Sequence, residues 1–189
     1  TYAISGNYFK QDGIIKNSDF EKGNIRINLD QKLSSKVGIG TSLNINRTSM
    51  NGVITDAESA IPSSVTSWAL AFNPGLGVYD ENGVYEFENN TAEPNVGNPV
   101  ADINKTEQLR TSTRFIGNFF ITYDFLKDFK FKSSFSGESL SLIEKAFFPN
   151  DIKRGQAAHG QAAISTGQSL NWSLENTLSY SKTFGIHNI

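Results

Sequence analysis

Gly23-Asn-Ile-Arg-Ile-Asn-Leu-Asp30 is the stretch that decides the fold class. Ile25, Ile27 and Leu29 lie on one side of an extended chain, and Asn24, Arg26, Asn28 and Asp30 lie on the other. Successive side chains of a strand point to opposite faces, so this segment is a strand with one apolar and one polar side. The next run has the same design. Val37, Ile39, Thr41, Leu43 and Ile45 alternate with Gly38, Gly40, Ser42, Asn44 and Asn46. Further along, Phe115, Phe119, Ile121, Tyr123 and Phe125 share a face. Arg114, Asn118, Thr122 and Asp124 share the other, with Ile116 and Phe120 as apolar interruptions. Phe129, Phe131 and Phe135 alternate with Lys130, Lys132, Ser134 and Ser136. Leu170, Trp172, Leu174, Leu178 and Tyr180 alternate with Asn171, Ser173, Glu175, Thr177 and Ser179. The fold class expected is therefore all-β and antiparallel.

The connections carry the next inference. Only Gln31 to Lys36 separate Asp30 from Val37, and only Leu126-Lys-Asp128 separate Phe125 from Phe129. The stretches at about 48–110 and 143–166 are long. Loops beyond roughly 12–15 residues are uncommon in compact domains. Membrane barrels, in contrast, pair short periplasmic turns with long extracellular loops. The alternating runs span about 11–14 residues, against a mode of about 5–6 in globular strands, and a tilted membrane strand needs about 9–11. Tyr123, Phe125 and Phe129 flank one tight turn, and Tyr180 and Phe184 flank the last, as an interfacial girdle would. The expected architecture is an antiparallel transmembrane β-barrel segment, in which about six or seven strands belong to a larger barrel. The alternative left open is a soluble secreted β-sandwich that binds carbohydrate, which would keep the alternation and turn its apolar face inward.

Composition excludes several classes. The 189 residues are 38% hydrophobic and 19% charged, with a net charge of -2. That balance is neither disordered nor basic enough for a nucleic-acid footprint. The chain has no cysteine, so it has no disulfide scaffold and no thiolate metal site. No apolar run reaches the roughly 18 residues of a transmembrane helix. His159 and His187 stand apart, with no second ligand at metal spacing. Asp80-Glu-Asn-Gly83 lacks the rest of a calcium loop. It reads instead as a hairpin turn, in which Asn82-Gly83 would supply two positive-φ residues. Gly38-Ile-Gly40 lacks the rest of a phosphate loop, and no Gly-x-Ser-x-Gly elbow appears. Neither a catalytic constellation nor a cofactor motif is expected. The best helical stretch, around 139–147, is short and placed in a loop.

Four stretches resemble the SusC/RagA family of TonB-dependent transporters of Bacteroidota outer membranes. The opening block, Tyr2 to Phe20, resembles that family's strand ending in Ser-Gly-x-Tyr, followed by Gln-x-Gly-Ile-Ile and Ser-x-Phe. It departs at Glu21-Lys22, where an Arg is usual. Phe72-Asn-Pro-Gly-Leu-Gly-Val-Tyr-Asp-Glu-Asn-Gly-Val-Tyr85 resembles the Asn-Pro…Val-Tyr-Asp-x-x-Gly-x-Tyr loop. Asn98-Pro-Val-Ala101 with Arg114-Phe-Ile-Gly-Asn118 resembles Asn-Pro-Leu-Ala…Arg-x-x-Gly-Asn. Trp172 to Phe184 resembles the Glu-Asn-x-Leu-x-Tyr strand with its Lys-Thr-Phe turn. The resemblance implies a barrel of about 22 strands around a plug. Residues 1–189 would be part of its wall, with the plug domain and TonB box outside this chain. The abrupt start within a strand and the abrupt end suit a piece of a longer protein. The implied function is energised import of a glycan or a peptide, and an outer-membrane barrel with a structural or secretory role is a further alternative. The implied partners are TonB, a SusD-like surface lipoprotein, outer-membrane lipid and the oligosaccharide or peptide substrate.

Two sets of site residues follow. Arg26, Asn28, Asp30, Asn44, Lys130, Lys132 and Glu175 fall on polar faces, which in a barrel line the lumen. They either tune selectivity or satisfy a plug and one another, since buried charges need partners. Trp68, Phe72, Tyr79 and Tyr85 are loop aromatics. They either stack on a sugar or partner, or pack among themselves.

Overall fold

The computed structural model describes residues 1–54, 64–87, 96–184 and 187–188. One six-stranded antiparallel sheet dominates, in the order β1-β2-β3-β4-β5-β6. Its strands are β1 (Tyr2–Asp12), β2 (Asp19–Lys32), β3 (Val37–Asn51), β4 (Glu107–Leu126), β5 (Phe129–Phe148) and β6 (Gln161–Tyr180). A small hairpin, β7 (Thr183–Phe184) with β8 (His187–Asn188), follows. Three short helices sit in the long connections: α1 (Val65–Ala71), α2 (Pro99–Lys105) and α3 (Lys153–Gln156). Connections 13–18, 52–106 and 149–160 lie at one end of the sheet, and 33–36 and 127–128 lie at the other.

The register aligns the alternation of every strand. Residues directly opposite in an antiparallel pair share a face. Ile27 faces Ile4 on one side and Leu43 on the other, and Leu43 faces Gly117. Ile45 faces Ile25 and Phe115, while Phe135 faces Phe119 and Leu174. One face of the sheet is thus largely apolar from the row of Val37, Tyr123, Phe131 and Leu178 to the row of Ile25, Ile45, Phe115 and Leu170, with Gln31, Thr41, Ser133, Ser139 and Asn176 as polar interruptions. On β3 that is Val37 to Ile45. At about 3.4 Å per residue and a tilt of about 35–45° this gives a band of roughly 20–25 Å, close to the apolar belt of a membrane barrel. Beyond it the same face turns polar, with Arg47, Thr113, Ser141 and Gln168 in a row.

The β4–β5 hairpin needs a correction to hold this pattern. The turn at Lys127-Asp128 pairs Leu126 with Phe129. Continued without interruption, that register would set Tyr123 opposite Lys132 and send one strand's apolar set to the wrong face. A β-bulge between Tyr123 and Leu126 inserts the extra residue, and Tyr123 faces Phe131. The bulge also gathers aromatic rings at the short-turn end. Ring centroids are 6.0 Å apart for Tyr123 and Phe125, 5.8 Å for Phe125 and Phe129, and 4.8 Å for Phe129 and Tyr180. The side chain of Phe184 lies outside the described residues.

Phe120, an apolar residue on the polar face, has a local reason. It stands directly opposite Gly40, and a Cβ at Gly40 would overlap its ring. The ring covers the glycine backbone, and the Lys132 ammonium sits 4.8 Å from its centroid.

The buried core is not on the sheet. Among the described residues the buried apolar side chains are Val53, Val65, Trp68, Val96, Ala101, Phe148 and Ile152, all at the long-connection end. Exposed large apolar side chains line the outward face along β1 and β6, Ile4, Tyr8, Leu170, Trp172 and Leu174 among them, and Phe119 on central β4 is 48% exposed.

Three expectations are corrected. Residues 139–147 are not a loop helix; they continue β5, where Ser139 to Phe147 pair with both β4 and β6. β4, β5 and β6 are 20 residues each, longer than the alternation suggested, so strand structure runs well past the apolar band. Asp80 to Val84 do form a hairpin, bridged at Tyr79 and Tyr85, but only Gly83 has positive φ (75°). Asp80 Oδ1 accepts from the backbone of Asn82 and Val84, fixing a three-residue loop in place of the two-residue type expected.

An arginine replacing Ile27 or Ile39 is expected to cost about 2–4 kcal/mol in refolding of the full-length protein into vesicles. Arginine at Asn28 or Ser42 should be mild, and equal tolerance at all four positions would contradict the facing. Gly40→Val should cost about 1–3 kcal/mol by overpacking. Pairing it with Phe120→Ala should recover part of that loss in the same assay.

Candidate functional site

The polar face of the sheet collects all seven sequence-derived lumen residues on one side. Arg26 stands opposite Asn44, and Asn28 opposite Ser42. Asn24 donates to Asn44 Oδ1 at 2.8 Å, and Ser42 Oγ donates to Asn28 Oδ1 at 2.8 Å. Asp30 faces Gly40. Lys130 faces Ser179, Lys132 faces Thr122 and Thr177, and Glu175 faces Ser134. Arg26, Asn28 and Asn44 therefore form one cluster on β2 and β3. Lys130, Lys132 and Glu175 form a second group near the short turns. Among the described ion pairs, none joins members of these two groups.

The sequence reading missed the ion pairs of this face. Arg110 Nε lies 3.2 Å from Glu144, and Arg114 Nη2 lies 2.7 Å from Glu138. The signal was four charged residues on two neighbouring strands. Only the bulge-shifted register brings them to one face. All are substantially exposed, so each pair contributes little stability, roughly 0–1 kcal/mol. The Asn118 amide adds bonds to Ser134 Oγ at 3.0 Å and Ser136 Oγ at 2.8 Å. A cleft of about 660 Å³ opens at the long-connection end of this face. Phe20, Met50, Arg110 and Glu144, which line up across four strands, form its floor.

Above the sheet, residues from the two long connections lock into one cap. Ser64 caps α1 through a reciprocal bond with Ser67. Asn98 caps α2 by accepting from Val100 and Ala101, and its amide donates to the carbonyls of Val78 and Glu86 at 2.9 and 3.0 Å. One side chain thus fixes both a helix start and the Tyr79–Tyr85 hairpin. Asp102, 1% exposed on its side chain, accepts Arg154 Nε at 2.8 and 3.0 Å and Thr106 Oγ1 at 3.3 Å. Burial pushes its carboxyl above the ordinary carboxylate range, against the pull of Arg154 and Thr106. The Arg154 guanidinium lies 4.4 Å from the Trp68 ring centroid. Lys105 pairs with Asp151, a second tie between the two connections. Gly155 packs so tightly against the Phe148 and Pro149 carbonyls that any side chain there would collide with them.

This geometry separates the four loop aromatics. Trp68 is buried at 3% exposure beneath Arg154, so it is packing and has no face for a ligand. Phe72 is half-buried. Tyr85 is half-buried, accepts Asn104 Nδ2 at 3.0 Å and has its ring 4.8 Å from that of Tyr79. Tyr79 is exposed. Stretches 55–63 and 88–95 of the long connection lie outside the described residues. His159 adopts a left-handed turn (φ 54°) with Gly160 beyond α3.

No family model matches the chain. The chain is 32% identical over 190 residues, its whole length, to TonB-dependent receptor P3 of Formosa agariphila, of which the match covers 19%. It is 30% identical over 192 residues, 98% of its length, to TonB-dependent receptor P26 of the same organism, of which 18% is covered. The chain therefore spans about a fifth of the length of the curated relatives it matches.

Asp102→Ala should cost about 3–5 kcal/mol locally, because it leaves the Arg154 charge buried without its carboxylate. Hydrogen exchange should speed up in residues 99–106 and 149–160 and stay unchanged in β2 and β3. Faster exchange throughout the sheet would show that the cap is not a separate unit.

Proposed function

We propose that the chain is part of the barrel wall of a TonB-dependent outer-membrane transporter that imports glycans or peptides. The carrying observation is the cross-strand register, which joins five rows of side chains into one largely apolar band about as tall as the apolar belt of a membrane barrel. Two relatives described as TonB-dependent receptors support the same reading. A soluble sandwich would bury that face against a second sheet, and the buried residues described here all lie elsewhere.

In this reading the polar face lines the lumen. Arg26, Asn28, Asp30, Asn44, Lys130, Lys132 and Glu175 then meet either the plug or the passing substrate. The Asn and Ser network on β2–β5 offers neutral donors and acceptors, and the ion pairs of β4–β5 keep the charge there balanced. The cap at the long-connection end faces the cell exterior, where a SusD-like lipoprotein would seat and Tyr79 would be available for contact. TonB would act through a segment outside this chain.

The test uses the full-length protein in its own cell. It should fractionate with the outer membrane, and its deletion should abolish uptake of one glycan or peptide class to the same extent as loss of TonB. A photo-crosslinker at Tyr79 should capture a surface lipoprotein. Recovery of the full-length protein in the periplasm or medium would overturn the membrane reading. Uptake that persists without TonB would overturn the transport reading.

A further inference from the structure

The outward face changes character within one row. Ile25, Ile45, Phe115 and Leu170 close the apolar band, and the next row holds Tyr8, Gly23, Arg47, Thr113, Ser141 and Gln168. Arg47 is the cation of that row. It is exposed, and no hydrogen bond or ion pair joins its side chain to another described residue. Its surroundings keep it accessible. On the β2 side stands Gly23, where even a Cβ would touch nothing within 4 Å. On the β4 side stands Thr113, which adds a hydroxyl. The diagonal acid, Glu21, is already held by Lys10 at 2.9 Å. Tyr8, at the far end of the row, suits the same boundary, since its ring is apolar and its hydroxyl polar.

We propose that Arg47 binds a phosphate of an acidic glycolipid in the outer leaflet. The inference rests on the barrel reading above, with the long connections facing the cell exterior. The position fits the chemistry. A lipid-facing arginine costs about 2–4 kcal/mol at the bilayer midplane but only about 0–1 near the interface. One row beyond the band is therefore where such a charge is tolerated and where headgroup phosphates lie. A guanidinium offers paired N–H donors that match two phosphate oxygens. The other outward cations differ: Lys10 is neutralised by Glu21, and Lys145 stands two rows further from the band.

The experiment uses the full-length receptor in vesicles containing lipid A, with the photoreactive residue p-benzoylphenylalanine placed at Thr113 or, separately, at Phe119. The Phe119 probe reads the apolar band and should capture acyl chains whatever Arg47 does. The Thr113 probe should capture phosphorylated lipid A, and Arg47→Gln should reduce that capture about fivefold. Dephosphorylated lipid A should be captured as poorly by the unaltered receptor as phosphorylated lipid A is by the variant. Unchanged capture at Thr113 after Arg47→Gln, or equal capture of the dephosphorylated lipid, would overturn the phosphate site and leave the barrel reading standing. No lipid capture at Phe119 would overturn the barrel reading, and the phosphate site with it.

Discussion

The backbone hydrogen-bond register is the constraint on which everything else in this chain depends. A strand repeats every two residues, so a shift of one residue moves a whole set of side chains to the other face. Five successive pairings must therefore agree, and here they do: Ile4, Ile27, Leu43, Gly117, Gly137 and Trp172 form one outward row across all six strands. The bulge between Tyr123 and Leu126 shows how tight the constraint is. The Lys127-Asp128 turn and the alternation of β4 and β5 are incompatible by one residue. The backbone takes up that residue as a bulge in β4 and leaves both apolar sets facing out.

This arrangement inverts the usual source of stability. A globular domain hides its apolar face in a core. Here the faces of the sheet enclose no core, and of the seven buried apolar residues described six lie in the long connections and the seventh, Phe148, ends β5 beneath them. Phe119, Phe135, Trp172 and Leu174 are all about half exposed or more. Their burial has to come from outside the sheet, and lipid is an apolar medium that needs no complementary shape. The two outer strands pose a second demand. β1 and β6 each pair on one side only, and unpaired backbone groups cannot be left in hydrocarbon. Membrane insertion of these strands therefore requires further strands at both edges.

Much of this was legible in the sequence, because period two is a strong signal in long strands. The strand positions, the apolar face and the polar face of β2, β3 and β6 could be read from residue order alone. Phe120 could not, since its reason is Gly40 on another strand. The pairing of Arg110 with Glu144 could not be read either, because the turn without its bulge predicts a different partner. Residues 139–147 looked helical because Ser139-Leu-Ser-Leu-Ile-Glu-Lys-Ala-Phe147 lacks clean alternation; pairing on both sides overrides that local preference. The cap was the least legible part. Its organising contacts join residues far apart in the chain: Asp102 with Arg154, Asn98 with Val78 and Glu86, and Trp68 with Arg154. The loop aromatics drew notice as binding residues because they are aromatic. Their separation into a buried Trp68 and an exposed Tyr79 depends on those distant partners.

The two regions also differ in how freely they can change. On the sheet, most outward positions are apolar and most inward ones polar without a specific partner, and polar Gln31, Ser133 and Asn176 stand outward while Ile116, Leu140 and Leu142 stand inward; the Gly40–Phe120 pair is the exception that demands a shape. In the cap, Asp102 needs a cation at Arg154, and Gly97 needs to be small because a Cβ there would press on the Trp68 ring. Asn98 needs both an acceptor for the α2 amides and donors for two carbonyls of the hairpin, which aspartate or serine could not supply together. A wall with loose side-chain requirements therefore carries a cap with exact ones. The cap fixes where Tyr79 stands, because the Asn98 amide ties its hairpin to the start of α2.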